Sequence, residues 1–310
     1  MAKPDPSELT TFIKNKAREI GFTHCGISKA VFLEEEAPRL EHWLKSGKHG
    51  KMSYMERNFD KRLDPRLLVD GAKSVISLMI NYAHPSSFIP RENYRVARFA
   101  LGVDYHTVIK EKLEILRQEI EQIHGPINYR VFTDSAPVLE RAWAQRSGLG
   151  WIGKNANLIN SQLGSWFLLG EIISDLDLTY DIPYEIPNCG TCTRCIDLCP
   201  SKAIVAPMVV DATRCLSYLS TEFKGALPAD LREAAAPWIF GCDICQEVCP
   251  WNKFSKSPLD NWLNPNPILA MMSAEEWENI SLEAYDSLFR NTGIERIGYE
   301  RLRRNIVFLR

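Results

Sequence analysis

No apolar run of this chain approaches the roughly 20 residues needed to span a bilayer. The start, Met1-Ala-Lys-Pro-Asp-Pro-Ser7, has neither a basic-then-apolar signal pattern nor a twin arginine. A soluble, non-exported protein with no membrane partner is expected. An excess of one charge is also missing: 37 Lys and Arg face 39 Asp and Glu, a net charge of −2, so any contact with a nucleic acid has to rely on a local patch. There is no Walker loop and no G-x-G-x-x-G fingerprint. The glycine-rich stretch Gly148-Leu-Gly-Trp-Ile-Gly153-Lys154-Asn155 has its lysine followed by Asn rather than Ser or Thr. It is a weak match to a phosphate cradle and suits at least equally a bare backbone surface against a large flat ligand. The rest is ordinary for a globular chain: 310 residues, 45% hydrophobic and 25% charged, enough for one large domain or two of usual size.

Cysteine is the exception. Eight of the nine cysteines lie between Cys189 and Cys249. Cys189-x2-Cys192-x2-Cys195-x3-Cys199-Pro200 has the spacing of bacterial two-cluster ferredoxins, in which the fourth cysteine ligates the other cluster. The second run, Cys242-x2-Cys245-x3-Cys249-Pro250, has Ile239 where a first cysteine would stand, and Cys215 is the nearby candidate to replace it. The spacing thus assigns Cys189, Cys192, Cys195 and Cys249 to one [4Fe-4S] cluster, and Cys199, Cys215, Cys242 and Cys245 to a second. Paired structural zinc sites are the alternative, because C-x2-C also binds zinc. The third and fourth cysteines and the proline, all present twice over, are rare in zinc ribbons. A disulfide framework fits less well, since a chain of this size buries its own core and the ninth thiol would be left over. Cys25, in an apolar context, reads as a core residue. Thiolate clusters need a reducing compartment, so a cytoplasmic location is expected.

The flanking sequence reads as an α/β (α+β) fold in three parts: an α/β domain over 1–180, a cluster domain over 181–255 and a C-terminal helical segment over 256–310. Asp5, Pro6 and Glu8 start an amphipathic helix that Gly21 ends. A strand near His24–Ser28 and a helix near Glu34–Lys45 follow. Residues 74–83 form a nearly continuous apolar run of strand length, as in a strand buried on both faces near the centre of a sheet. Beyond a polar loop carrying Pro85 and Pro90, a strand over Tyr94–Ala100 is expected. A long helix opened by Asp104 comes next, with Val108, Ile109, Leu113, Leu116, Ile120 and Ile123 as its buried stripe. A strand over 127–133 runs into Asp134 and Ser135 ahead of the helical Val138–Ser147, where open α/β sheets present ligand chemistry. The plainer alternative for Asp134 is a helix N-cap. Asn157–Asn160 and Ser165–Ile173 are expected to pair as strands. Helices over Ile268–Ile280, Ser281–Phe289 and Glu295–Arg310 close the chain. On the last of these, Arg301, Arg303 and Arg304 read as a solvated basic face or as contacts for RNA phosphates.

Asp104-Tyr105-His106, Thr133-Asp134-Ser135, Glu140-Arg141-Ala142, Gly148–Asn155 and the Cys189–Pro250 pattern together resemble epoxyqueuosine reductases, cobalamin-dependent iron–sulfur enzymes of tRNA modification. Cys215 falls where that family has its eighth cluster ligand. The resemblance implies a nitroreductase-like cobalamin-binding domain followed by a ferredoxin-like two-cluster domain. It is a resemblance to a short form, because many members continue into a HEAT-like helical repeat that would begin near Arg310.

The implied reaction is the last step of queuosine biosynthesis. The epoxide of epoxyqueuosine, at the anticodon wobble position of a tRNA with a GUN anticodon, is reduced to the alkene by cobalamin, which two clusters feed from a low-potential donor. By the resemblance, Asp134 is the proton donor, with its pKa raised by burial against the corrin. Arg57, Tyr105, Ser135, Arg141, Lys154, Asn157 and Ser161, and the backbone of Cys242-Asp243, are the implied cobalamin contacts. His106, at the start of a helix, reads as a surface or hydrogen-bonding residue rather than a cobalt ligand. A monomer is expected. Two rival readings are a corrinoid reductive dehalogenase-like oxidoreductase and a non-catalytic iron–sulfur electron carrier. Thr133-Asp134-Ser135 and the lack of a twin arginine argue against the first; the second needs neither Asp134 nor a corrin.

Overall fold

The computed structural model describes residues 4–84, 93–258 and 262–310. The loop carrying Pro85 and Pro90 lies outside the described residues, as does Met1. Every residue of the strand Ser74–Asn81 is buried, and the fold is built outward from it. His24–Lys29 pairs with it on one side and Phe167–Ser174 on the other, and Tyr129–Phe132 completes a four-stranded sheet beyond Phe167–Ser174. All three pairings are antiparallel.

Phe167–Ser174 was expected to pair with the segment around Asn157–Asn160. Instead, Leu158–Ile159 folds back on Trp151–Ile152, with the connecting turn closed by Gly153 N–H to Asn157 O at 2.8 Å. A long, almost wholly buried strand gains far more apolar burial between two long neighbours than against a two-residue hairpin arm.

Alternation along the strands sends side chains to two cores. On one face, Ile76, Leu78 and Ile172 meet Leu9 and Ile13 of the helix Pro6–Ile20 and Ile109, Leu113 and Leu116 of the helix Tyr105–His124. Asp5 caps the first of these helices and Gly21 ends it in the left-handed conformation, as the sequence indicated. Ile123 leaves the expected buried stripe of the long helix and is 40% exposed. On the other face, Val75, Phe132 and Ile173 pack with Leu33, Leu63, Ala142 and Trp143, the last two on the helix Glu140–Arg146. Gly26 admits this close packing: a Cβ there would lie 2.1 Å from Ser147 O, just past the end of that helix.

The strand expected over Tyr94–Ala100 shortens to Arg95–Val96, followed by a 3-10 turn over Arg98–Ala100. Its parallel partner, Trp238–Phe240, is itself only three residues long and lies far along the chain. Val96, Ala100, Ile239 and Phe240 share a core with Trp277, Phe289, Leu302 and Ile306 of the C-terminal helices. The single helix expected over Ile268–Ile280 is two, Pro267–Met271 and Ala274–Glu278, because Ser273 and Glu276 form a capping box that starts a new helix. Leu282–Leu288 and Tyr299–Leu309 follow.

The arginines of the last helix do not form a solvated face. Arg304 donates to Leu219 O, Phe223 O and Gly225 O at 2.7–3.0 Å, Arg301 to Thr221 O at 3.1 Å and Arg303 to Glu278 O. Arg301 and Arg304 clamp this helix to the cluster region, and Arg303 ties it to the helix Ala274–Glu278. Among the described residues no helix is long and apolar enough to cross a membrane.

Candidate active site

Asp104 caps the long helix, its Oδ1 accepting the His106 N–H at 3.0 Å, and so presents the His106 ring from the first turn. His106 Nδ1 lies 2.6 Å from Asp104 Oδ1, and Nε2 lies 2.9 Å from Asp134 Oδ2. With both ring nitrogens engaged, no lone pair is left for a metal. Arg296 approaches the far oxygen of Asp104 at 3.4 Å. The Tyr105 ring stacks on His106 with centroids 4.1 Å apart.

Asp134 is not a helix cap. Leu139 holds that position, without a side-chain bond, and the Asp134 carboxylate turns instead to His106. The backbone is bent to allow this: Asp134 has φ +53°, a left-handed conformation that is uncommon outside glycine. Thr133 Oγ1 anchors the bend to Leu169 O at 2.8 Å. The Asp134 N–H donates to Glu140 Oε1. Glu140 begins the helix behind the loop, and Glu171, in the middle of the sheet, is fully buried with neither carboxyl oxygen receiving a hydrogen bond.

Charge in this group is displaced from its usual distribution. Burial raises the Asp134 pKa, but the His106 bond and charge, with Tyr105 and Arg296, outweigh it and hold the carboxyl below its ordinary value. Burial lowers His106, but Asp104 and Asp134 raise it further, so the imidazolium is favoured. Asp104, despite burial, is held at about 2, chiefly by His106. Asp134 is thus lowered by its His106 partner here, where the expectation was a carboxyl raised by burial against the corrin. Glu140 is pushed up to about 8, by burial first and then by Asp134.

The thiols that influence one another most strongly form two sets. Cys195 is pushed up to about 11 by burial and then by Cys189, Cys249 and Cys192; Cys249 is raised by burial, with Cys189 and Cys192 also acting on it. Burial raises Cys242 and Cys245, and both feel Cys215 and Cys199. Zinc would draw its sulfurs to within about 4 Å of one another, yet among the described residues no three metal-ligating side chains converge on a single-ion site. Two sets of four thiols match in number the ligands of two four-iron clusters.

The glycine-rich loop lies between these thiols and the helix that follows the Asp134 turn. Arg141 donates to Ala156 O, Asn157 Nδ2 lies 3.8 Å from Cys245 Sγ, and Asn155 donates to Cys245 O at 3.2 Å. Lys154 Nζ reaches Gly190 O and Cys192 O at 2.8 and 3.0 Å. Asp243, beside Cys242, is buried and accepts the Arg98 N–H at 2.8 Å.

Arg57, Ser135 and Ser161 are exposed and make no side-chain hydrogen bond among the described residues. With Arg141 and Asp134 they present polar groups to solvent, a chemistry that suits the amide and phosphate groups on the rim of cobalamin. Sequence reasoning missed the parts played by His106, Glu140 and Arg296. Glu140 lay within a quoted motif, but nothing local marks it as the acceptor of the Asp134 N–H.

Family models match at two places. "4Fe-4S double cluster binding domain" covers residues 188–252 and "Epoxyqueuosine reductase QueG, DUF1730" covers residues 62–135. The epoxyqueuosine reductase of Cellulophaga algicola is 51% identical over 96% of this chain and 97% of its own. That of Escherichia coli is 39% identical over 99% of this chain and 82% of its own. A crystal structure of epoxyqueuosine reductase with an epoxyqueuosine-modified tRNA-Tyr stem loop is similar at TM-score 0.89 and 29% identity, over 97% of this chain and 80% of that one. The Bacillus subtilis enzyme, with its catalytic aspartate loop swung out of the active site, matches at TM-score 0.87 and 30% identity over 97% and 81%. The reductive dehalogenase NpRdhA, at 16% identity, TM-score 0.53 and 97% of this chain against 38% of its own, shares the fold alone. The chain belongs to the epoxyqueuosine reductase family.

Proposed function

We propose that this chain reduces epoxyqueuosine in the tRNA anticodon wobble position to queuosine, the last step of queuosine biosynthesis. The observation that carries this reading is the Asp104–His106–Asp134 hydrogen-bond chain, buried at His106 and open to solvent at Asp134, with the 153–157 loop bonded on one side to Arg141 of the following helix and on the other to Cys245. A plain electron carrier has no use for such a proton path, and no observation favours an organohalide substrate.

Cobalamin, fed one electron at a time by two [4Fe-4S] clusters, supplies the C–O bond cleavage. Cys189, Cys192, Cys195 and Cys249 would hold one cluster and Cys199, Cys215, Cys242 and Cys245 the other. Arg57, Tyr105, Ser135, Arg141, Lys154, Asn157, Ser161 and the Cys242-Asp243 backbone would surround the corrin. Opening the epoxide and expelling its oxygen as water takes two electrons and two protons. Asp134 Oδ2 is the group that passes a proton to the oxygen as negative charge develops there. His106 Nε2 restores that proton, and Asp104 fixes the Nδ1–H tautomer and stabilises the imidazolium. We assign residues 1–180 to the cobalamin-binding domain, 181–255 to the cluster domain and 256–310 to the helices clamped beneath it. The partners in this reading are tRNAs with a GUN anticodon and a low-potential donor acting on a cytoplasmic monomer.

The test is anaerobic reconstitution with iron, sulfide and cobalamin, then reduction in the presence of epoxyqueuosine-containing tRNA. Mass spectrometry of the nucleosides should show loss of one oxygen only when cobalamin is present. Unchanged epoxyqueuosine in the fully loaded protein would overturn the reading.

A further inference from the structure

The 153–157 loop grips both cysteine runs, but with different chemistry on each. Toward the second run it offers neutral amides: Asn155 Nδ2 donates to Cys245 O at 3.2 Å, and Asn157 Nδ2 lies 3.8 Å from Cys245 Sγ. Toward the first run it offers a full charge. Lys154 Nζ donates to Gly190 O at 2.8 Å and to Cys192 O at 3.0 Å, the carbonyls on either side of Thr191. The backbone behind the side chain is fixed, with Lys154 O accepting the Met208 N–H at 3.0 Å and Gly153 N–H donating to Asn157 O at 2.8 Å. Lys154 is half-buried, and among the described residues no carboxylate pairs with its ammonium. The cations next to the first set of cysteines in sequence, Arg194 and Lys253, are exposed, where water and salt screen them.

We infer that Lys154 selectively raises the reduction potential of the cluster held by Cys189, Cys192, Cys195 and Cys249. One-electron reduction adds a negative charge to an iron–sulfur cluster, and the electron comes from the low-potential donor already invoked. An ammonium held against the loop that carries two of the ligands stabilises the reduced form more than the oxidised one. The second cluster receives only amide dipoles from the same loop, so the two are set apart. By favouring an electron on the first cluster while the second feeds cobalamin, Lys154 keeps within the molecule the second of the two electrons that the reaction takes. This is a further role for a residue that the catalytic reading sets beside the corrin, and it rests on the two-cluster part of that reading. Lys154 acts through the cluster and touches no reacting atom.

The test is an EPR-monitored redox titration of the full chain loaded with iron and sulfide, without cobalamin or tRNA, so that its outcome does not depend on turnover. The signal that disappears in Cys215→Ser belongs to the second cluster, and the other to the first. Lys154→Met should make the first cluster about 10- to 100-fold harder to reduce, a fall of about 60 to 120 mV, and leave the second in place. Lys154→Gln, which keeps a donor without the charge, should fall by a similar amount, and Lys154→Arg, which keeps the charge, should hold the wild-type potential. Arg194→Met should move the first cluster much less, because that charge is exposed. An unchanged first-cluster potential in Lys154→Met overturns the inference, and so does an equal shift of both clusters. Should Lys154→Met fail to load iron, the comparison of Lys154→Gln with Lys154→Arg decides it: equal potentials there would leave Lys154 as a staple of the loop and nothing more. A wild-type iron content that never reaches two clusters would instead overturn the two-cluster reading, and this inference with it.

Discussion

Replacing Asp104 by Asn removes one charge from the proton path and little else. Asn is as good a helix N-cap as Asp, so the bond that accepts His106 N–H at 3.0 Å is kept, and its amide oxygen still accepts from Nδ1–H. What is lost is the carboxylate 2.6 Å from Nδ1, in a place where the two side chains are only 9% and 17% exposed and solvent screens weakly. A hydrogen bond between charged partners contributes about 1.5–3 kcal/mol beyond water's competition, which corresponds to about one to two pH units. His106 is raised in the folded protein. Activity that needs the imidazolium is therefore present below that raised pKa and disappears as pH climbs through it. Asp104→Asn should move this alkaline fall down by about one to two pH units, and above it single-turnover rates should drop about 10- to 100-fold. The assay is quenched single turnover on epoxyqueuosine tRNA across pH, with nucleosides quantified by mass spectrometry. A variant whose alkaline limb stays in place, whatever its absolute rate, would refute the assignment of the proton to His106.

Cys215→Ser should remove the second cluster, so that roughly half the iron is lost on reconstitution and one of two reduced-cluster EPR signals disappears; a full iron load would show that Cys215 is not a ligand. Arg304→Ala leaves three backbone carbonyls without their donor and should lower the stability of the cluster-loaded protein by about 2 kcal/mol in urea titrations, with little change in activity per folded molecule.

Local chemistry made parts of the molecule legible in advance. Asp5, Pro6 and Gly21 mark the two ends of the first helix as the structure has them, because caps act within one turn. The cysteine spacing was equally readable, since cluster loops are set by short-range geometry. Other features depended on partners far along the chain. Arg95–Val96 is a strand because Trp238–Phe240 pairs with it. Arg301, Arg303 and Arg304 looked like a free basic face because their carbonyl acceptors lie on segments that only the fold brings near. Asp134 is followed by residues of helical composition and so resembled a cap; its actual partner, His106, is 28 residues earlier. His106 itself was read as a surface or hydrogen-bonding residue; it is buried, and its two aspartate partners, which raise it, were not visible in one dimension.

Asp134→Asn in the fully loaded enzyme is the most direct measurement. The variant keeps the size of the side chain and an oxygen for His106 but has no carboxyl to carry the proton. Wild type and variant should take up iron and cobalamin equally and bind epoxyqueuosine tRNA alike. Only wild type should yield queuosine in a single anaerobic turnover. Queuosine formed by Asp134→Asn at the wild-type rate would contradict the role given to this carboxylate and to the hydrogen-bond chain behind it.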